Sequence, residues 1–270
     1  MNRLRSSLGL LALGLTGLAV SVPLALAADA PAGGAPAQQQ TPSYTMPGNT
    51  PPAIRKAVDN PARKAEDRAR DANRKPAELL TLAGIKPGDK VVEIASFGQY
   101  FTTLLSDVVG PKGTIYMYDL PYTEARAGEA SRKFVAEHPN SKYEIVDYNK
   151  IQLPQNVDAV VIVLYYHDLP INDIDTAAFN KRVLASLKPG GTYFIVDHNA
   201  RPGSGMEDTK KLHRIDPKVI RDEVTSAGFE LVQESKLLAR QSDDHTQMVF
   251  SPGLRGLTDQ SIFVFRKPKK

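Results

Sequence analysis

The sequence predicts an α/β fold built on a doubly wound, mostly parallel sheet. Runs rich in β-branched and aromatic residues alternate with amphipathic stretches of about ten residues. One run, Val157–Asp158–Ala159–Val160–Val161–Ile162–Val163–Leu164, is apolar but for Asp158. A central parallel strand covered on both faces requires that pattern.

In chain order, residues 90–95 read as a buried strand and 100–109 as an amphipathic helix. Residues 113–118 give the second strand, and a helix follows from Thr123, its expected N-cap, to Glu137. Strands three and four fall at 142–146 and 157–164. A helix over 177–187 closes on Lys188–Pro189–Gly190–Gly191 and leads into strand five, 192–196. The helix 217–227 ends at Gly228, and strands over 230–238 and 261–266 read as an antiparallel hairpin at the sheet edge. No internal repeat or second domain is visible.

The N-terminal quarter reads differently. A basic head with Arg3 and Arg5 precedes an uncharged apolar run over 8–27 that ends in Ala25–Leu26–Ala27. That is the pattern of a cleaved export signal over residues 1–27, with an uncleaved anchor as the rival, and it implies a periplasmic or secreted protein. Residues 28–52, rich in Ala, Pro, Gly and Gln, are expected to form a disordered leader. Residues 53–75 read as a charged helical region, with Asp59–Asn60–Pro61 offering an N-cap and a first-turn proline. The main domain is then 76–270, opening with a short helix that ends at Gly84.

Composition excludes several classes. There are no cysteines, so no disulfide framework, thiolate nucleophile or lipid-modified N-terminus is available. The net charge of +4, less Arg3 and Arg5, is too balanced for a nucleic-acid binder. The basic stretch 63–74 is interrupted by acids and reads as solvated surface. No Gly-x-Ser-x-Gly elbow supports a serine hydrolase, and no P-loop is present. Outside the N-terminal run, no stretch is long and apolar enough to span a membrane, and the oligomeric state is not legible.

The chemistry-bearing residues gather at the predicted C-terminal ends of strands, where ligands of doubly wound sheets bind. The first strand runs into Glu93–Ile94–Ala95–Ser96–Phe97–Gly98, the second ends at Asp119, and the third at Asp147. An acid at the end of strand two can accept two hydrogen bonds from a ribose diol. A dinucleotide site would need Gly-x-Gly-x-x-Gly, and only Gly98 is present.

Together with Leu187–Lys188–Pro189–Gly190–Gly191, these features resemble the class I S-adenosylmethionine (SAM)-dependent methyltransferases over residues 76–267. The resemblance implies a Rossmann-like seven-stranded sheet with an antiparallel last strand, and SAM as cofactor. It also implies cofactor contacts from Glu93, Ala95, Ser96, Gly98, Asp119, Leu120, Asp147, Tyr148 and Tyr166. Tyr166–His167–Asp168–Leu169, Val196–Asp197–His198 and Leu212–His213–Arg214–Ile215–Asp216 further resemble a group of exported bacterial methyltransferases. That resemblance supplies no acceptor, small molecule or protein.

Ala95 and Phe97 stand at the glycine positions of the family's acidic-x-Gly-x-Gly turn. Ala95 is a mild change, whereas Phe97 puts a large ring where the cofactor's amino-acid moiety belongs. A second expectation follows: a non-catalytic or repurposed binding protein that holds another small molecule in a degenerate SAM cleft. An exported methyltransferase also needs a source of SAM outside the cytoplasm.

For methyl transfer, His167 or His213 is expected to remove a proton from the acceptor, with Arg214 orienting an acidic substrate. Tyr165, Asp197 and His198 are expected to contact the substrate. His167, His198 and His213 with Asp197 and Asp216 suit zinc, iron or manganese in residue type. They contain no compact His-x-x-x-His pair, so no metal site is assigned. The Gly-rich stretch Pro202–Gly203–Ser204–Gly205 could close over a ligand, His138 is expected to cap a helix, and His245 falls in a long surface loop.

Overall fold

The computed structural model describes residues 43–269. The export signal over 1–27 and the leader over 28–42 lie outside the described residues. Residues 43–52 belong to the same expected leader, yet they pack. Tyr44 Oη donates to Glu78 at 2.5 Å and accepts the Ala77 N–H at 3.1 Å, and Tyr44 and Met46 lie against the core. Two isolated anchors in a Pro- and Thr-rich stretch leave little trace in composition.

The helices are α1 Pro52–Val58, α2 Ala65–Arg68, α3 Asp71–Arg74, α4 Pro76–Ala83, α5 Tyr100–Val109, α6 Glu129–Glu137, α7 Asp168–Ile171, α8 Thr176–Ser186, α9 Thr209–Leu212 and α10 Pro217–Ser226. The strands are β1 Lys90–Ile94, β2 Thr114–Asp119, β3 Ser141–Ile145, β4 Val157–Val163, β5 Leu187–His198, β6 Glu230–Ser235 and β7 Gln260–Arg266. Every predicted strand is present, within a few residues at its ends.

The charged region 53–74 is three short helices, not one. Asp59 ends α1 rather than starting a helix, and the Asn60 side chain accepts the Ala62 N–H at 2.9 Å in a local turn. Lys75, before Pro76, takes a left-handed conformation (φ 45°), which separates α3 from α4. Nor is this region solvated throughout: Arg63, Asp67 and Asp71 are buried, and Arg63 grips Asp71 with two bonds of 2.7 and 2.8 Å. Thr123 is no N-cap either. Its hydroxyl donates to Leu120 O at 2.8 Å, and a π-helical turn over Glu124–Gly128 precedes α6. Asp175 caps α8 by accepting the Ala178 N–H, and His138 ends α6 as expected.

The seven strands run in the order β3-β2-β1-β4-β5-β7-β6, with β7 antiparallel to both neighbours. Side chains alternate across the sheet. Val91, Val161 and Phe194 face α1, α4 and α5, whereas Val92, Val160, Ile162 and Tyr193 face α8 and α10. Two apolar layers result, each fully buried aliphatic contributing about 1.5–3 kcal/mol. The chain leaves β1 in one direction along the sheet and β4 in the other. A crevice therefore opens between their C-terminal ends, the usual ligand position in such sheets. Among the described residues, no helix is long and apolar enough to cross a membrane.

Candidate functional site

The β1 end of the crevice is a compact turn. Ala95 holds φ 62° and Gln99 φ 54°, both left-handed, flanking a 3₁₀ turn over Ser96–Gly98. Ala95 thus occupies a conformation that favours glycine, at a cost of roughly 1–2 kcal/mol, while Gly98 has no such requirement. The turn folds over the end of β2. Asp119, with no solvent exposure, accepts the Phe97 N–H at 3.0 Å and the Ser96 hydroxyl at 3.2 Å, both on Oδ1. Its Oδ2 is buried with no aligned donor, but the Tyr143 hydroxyl, also buried and unpaired, is near enough to hold the Asp119 pKa down in part.

Glu93, two residues before the turn, is also buried with an unpartnered Oε2. Burial raises its pKa to about 8, opposed in part by the Thr102 hydroxyl, while the nearby Asp119 charge adds a smaller rise. It is therefore largely a neutral acid at pH 7. Burial likewise raises the Asp119 carboxyl, opposed by its hydrogen bonds.

Phe97, within this turn, is half-buried. Its ring meets Tyr165 edge-on at 5.9 Å and lies under the Arg126 guanidinium at 4.6 Å. Tyr122 and Tyr165 share a hydroxyl contact of 2.9 Å above it. Several expected cofactor contacts lie elsewhere. Tyr148 is core: its hydroxyl donates to Tyr118 O at 2.8 Å and accepts the Ala95 N–H at 3.1 Å. Tyr166 points to the α8 side, where it donates to Glu223 at 2.7 Å and accepts from Asn180 at 2.7 Å. Leu120 is buried beneath Thr123. Asp147 is on the surface, accepting the Asn149 N–H and 3.7 Å from Lys150.

The β4 and β5 ends carry an imidazole–carboxylate cluster. Asp197 Oδ1 lies 2.7 Å from His167 Nδ1, and Asp197 Oδ2 accepts the His167 backbone N–H at 2.7 Å. His167 Nε2 is 3.2 Å from Asp168 Oδ1 but is not aligned for a hydrogen bond. His213 Nδ1 reaches the same oxygen at 3.0 Å. Burial alone would lower the His167 pKa, but the Asp197 and Asp168 carboxylates outweigh it and bring it to about 10. Asp168 is held below the usual carboxylate range by His167 and His213, against the effect of its own burial. His198 goes the other way. Burial, then the charges of His167, Arg214 and Arg74, push it well down, and its Nδ1 is bonded to Thr258 at 2.7 Å.

Arg214 is not free to orient a substrate. It is fully buried, pairs with both oxygens of Asp243 at 2.9 Å, and donates to Gln247 O and Asn199 O. Its work is to pin the long loop before β7 to the end of β5. Asp216 likewise caps α10 and accepts the Gly203 N–H at 2.7 Å, which tethers the Gly-rich loop. His245 contacts Asp259 at 3.0 Å within the long loop. Arg74 was not singled out by sequence, yet its guanidinium stacks at 4.8 Å on the Tyr100 ring and adds to the field that discharges His198. Burial, then Arg70, lower its pKa to about 10. The spacing of Arg70 and Arg74, both over Tyr100, was the available signal. A separate cleft of about 880 Å³, lined by Asn60, Ser106, Gly113, His138 and Asn140, opens at the opposite, N-terminal ends of the strands.

A SAM-dependent methyltransferase from Aquifex aeolicus superposes on 78% of this chain and 96% of its own length, with a TM-score of 0.53 and 20% identity. The fold is that of the class I SAM-dependent methyltransferases. Aeropyrum pernix fibrillarin, solved with natively bound SAM, matches 73% of this chain and 76% of its own at a TM-score of 0.51 and 16% identity. The [4+2]-cyclase SpnF matches 78% of this chain and 86% of its own at 0.53 and 16%. In sequence, the ubiquinone/menaquinone biosynthesis C-methyltransferase UbiE of Teredinibacter turnerae is 24% identical over 135 residues, 50% of this chain and 53% of that protein. Its Ectopseudomonas mendocina counterpart is 24% identical over 127 residues, 47% and 48%. The chain thus spans about half the length of the curated relatives it matches. No family model matches it. In this methyltransferase fold, Glu93, Asp119 and the His167 cluster occupy the crevice edge, whereas Tyr148, Tyr166 and Arg214 belong to its scaffold.

Proposed function

We propose that this chain is an exported SAM-dependent methyltransferase acting on a small molecule. The observation that carries the reading is Asp119 Oδ2, a buried acceptor at the end of β2 with no aligned donor, beside the equally unpaired Tyr143 hydroxyl. An unsatisfied buried oxygen costs about 1–3 kcal/mol, and a ribose diol supplies the missing donors. Glu93, Ser96 and Asp119 would hold the nucleoside end, and the Phe97 ring narrows the amino-acid end. SAM supplies an electrophilic methyl group, so the protein's part is to align the acceptor and manage its proton.

His213 is the imidazole placed for that proton, because its side chain keeps 27% of its exposure while bonded to Asp168. Tyr122, on the Tyr165 hydroxyl, and Phe250, with its ring 5.1 Å from that of His213, are both more than half exposed and would offer apolar surface to an acceptor with a ring or aliphatic body. The pattern of residues 1–27 supports the exported location.

A repurposed cleft is the second reading, favoured by Phe97 between Tyr165 and Arg126. Isothermal titration of the mature protein with SAM and S-adenosylhomocysteine separates the two. A micromolar or tighter Kd for either supports the transferase, and its loss in Asp119→Ala locates the site. Absence of heat with both, in folded protein, rejects it in favour of the repurposed cleft.

A further inference from the structure

His167 is almost wholly buried, yet Nε2 of its ring has no hydrogen-bond partner. The other ring nitrogen is taken by Asp197 at 2.7 Å. A carboxylate only accepts, so it holds a proton on Nδ1 and leaves Nε2, pointing away from it, as the nitrogen whose proton a cation would displace. Around Nε2 stand Asp168 and His213. Asp168 Oδ1 is 3.2 Å from His167 Nε2 and 3.0 Å from His213 Nδ1, and a donor atom from each of the three residues lies within 4.8 Å of the others. Two donors about 2.1 Å from one cation, at angles from square to tetrahedral, are roughly 2.9–3.4 Å apart. Both spacings through Asp168 fall in that window.

We propose that His167, Asp168 and His213 bind a divalent first-row transition-metal ion, zinc being the probe of choice, with Asp197 as the outer carboxylate that orients His167. Two imidazoles and one carboxylate select such an ion over magnesium or calcium, which prefer all-oxygen sites. Metal-bound histidines almost always donate their other ring N–H to a carboxylate, a backbone carbonyl or water, and Asp197 fills that place here. Three protein ligands leave coordination positions open. They face outward, because Asp168 and His213 keep 18% and 27% of their side-chain exposure while His167 forms the floor. His198 stays out, with Nδ1 engaged by Thr258 and its ring 5.7 Å from that of His167. The open positions would take an oxygen of a bound small molecule at the mouth of the crevice. The ion site does not depend on the crevice taking SAM; with its Nδ1 on the ion, His213 would no longer act as the base, and the ion would ease proton loss by lowering the pKa of the oxygen bound to it.

The test is a zinc titration of the untagged mature protein in a non-chelating buffer, with metal analysis after dialysis. There is no cysteine to compete, and the five histidines of the chain all lie among the described residues. We expect one zinc per chain at micromolar Kd or tighter, and cobalt at the same site with the visible spectrum of nitrogen–oxygen ligation. His213→Ala and the near-isosteric Asp168→Asn should each weaken zinc at least tenfold with circular dichroism unchanged, and His245→Ala should leave it intact. No binding by the folded wild type, or binding that both cluster variants retain, overturns the proposal. SAM titration of the same preparation reports separately on the transferase reading.

Discussion

Asp197 grips His167 at two points, the ring Nδ1 and the backbone N–H, each at 2.7 Å, and its Oδ1 also accepts the His198 N–H at 2.8 Å. One carboxylate at the end of β5 therefore sets both the position of the imidazole that follows β4 and the nitrogen that keeps its proton. Asp197→Asn replaces one accepting oxygen by an amide nitrogen and strands one of three donors, which should cost about 1–3 kcal/mol in urea unfolding. Zinc affinity should fall about 10–100-fold in the folded variant, as is typical when the partner behind a ligating imidazole is changed. Unchanged affinity would mean that something other than Asp197 aims the ring.

Arg214 and Asp243 form a buried bidentate pair, with side-chain exposures of 0% and 1%. Asp243→Asn leaves the guanidinium buried and short of a counter-charge. A loss of about 3–5 kcal/mol is expected in denaturant unfolding, with Arg214→Met/Asp243→Leu recovering much of it. A loss below 1 kcal/mol for the single variant would show that the long loop is held by other contacts.

The fold was legible because its signals are local, apolar strands and acids at strand ends, although Pro189–Gly190–Gly191, expected as a turn, lies inside β5 at a register shift against β4. The site was legible in position but only partly in role. Tyr166 and His167 are adjacent after one strand and point to different surroundings, so proximity in sequence did not mean a shared site. Arg214 was misread because Asp243, which takes its charge, lies 29 residues further on. Arg74 was passed over because a run of mixed charge reads as surface, and only folding places it on Tyr100 beside His198. The Asp168 bridge between His167 and His213 spans 45 residues and has no motif spacing.

Glu93 makes stability depend on pH in a defined direction. Its folded pKa of about 8 lies above the ordinary 4.5, so the folded state keeps a proton that the unfolded chain releases. The contribution is fully present below pH 4.5 and is lost as pH rises toward 8, by up to about 1.4 kcal/mol per pH unit. Glu93→Gln should remove this slope and be the more stable of the two near pH 8, by on the order of a few kcal/mol. Parallel unfolding curves for wild type and variant from pH 5 to about pH 8 would contradict the assignment.

The turn after β1 gives the sharpest test of how far the crevice has drifted from a SAM site. Ala95 is held at φ 62°, so Ala95→Gly should relieve roughly 1–2 kcal/mol of backbone strain, offset in part by the loss of the Cβ packed against the core. Phe97 is different, because its ring occupies space and its backbone N–H engages Asp119. Phe97→Gly keeps that N–H and removes the ring between Tyr165 and Arg126. If the cleft is a SAM site narrowed by this one side chain, the variant should bind S-adenosylhomocysteine about tenfold more tightly, worth about 1.4 kcal/mol. If Phe97 instead forms part of a pocket for another apolar ligand, the variant gains nothing for the nucleoside. Calorimetry on both proteins decides between these outcomes, since Asp119 is present in each.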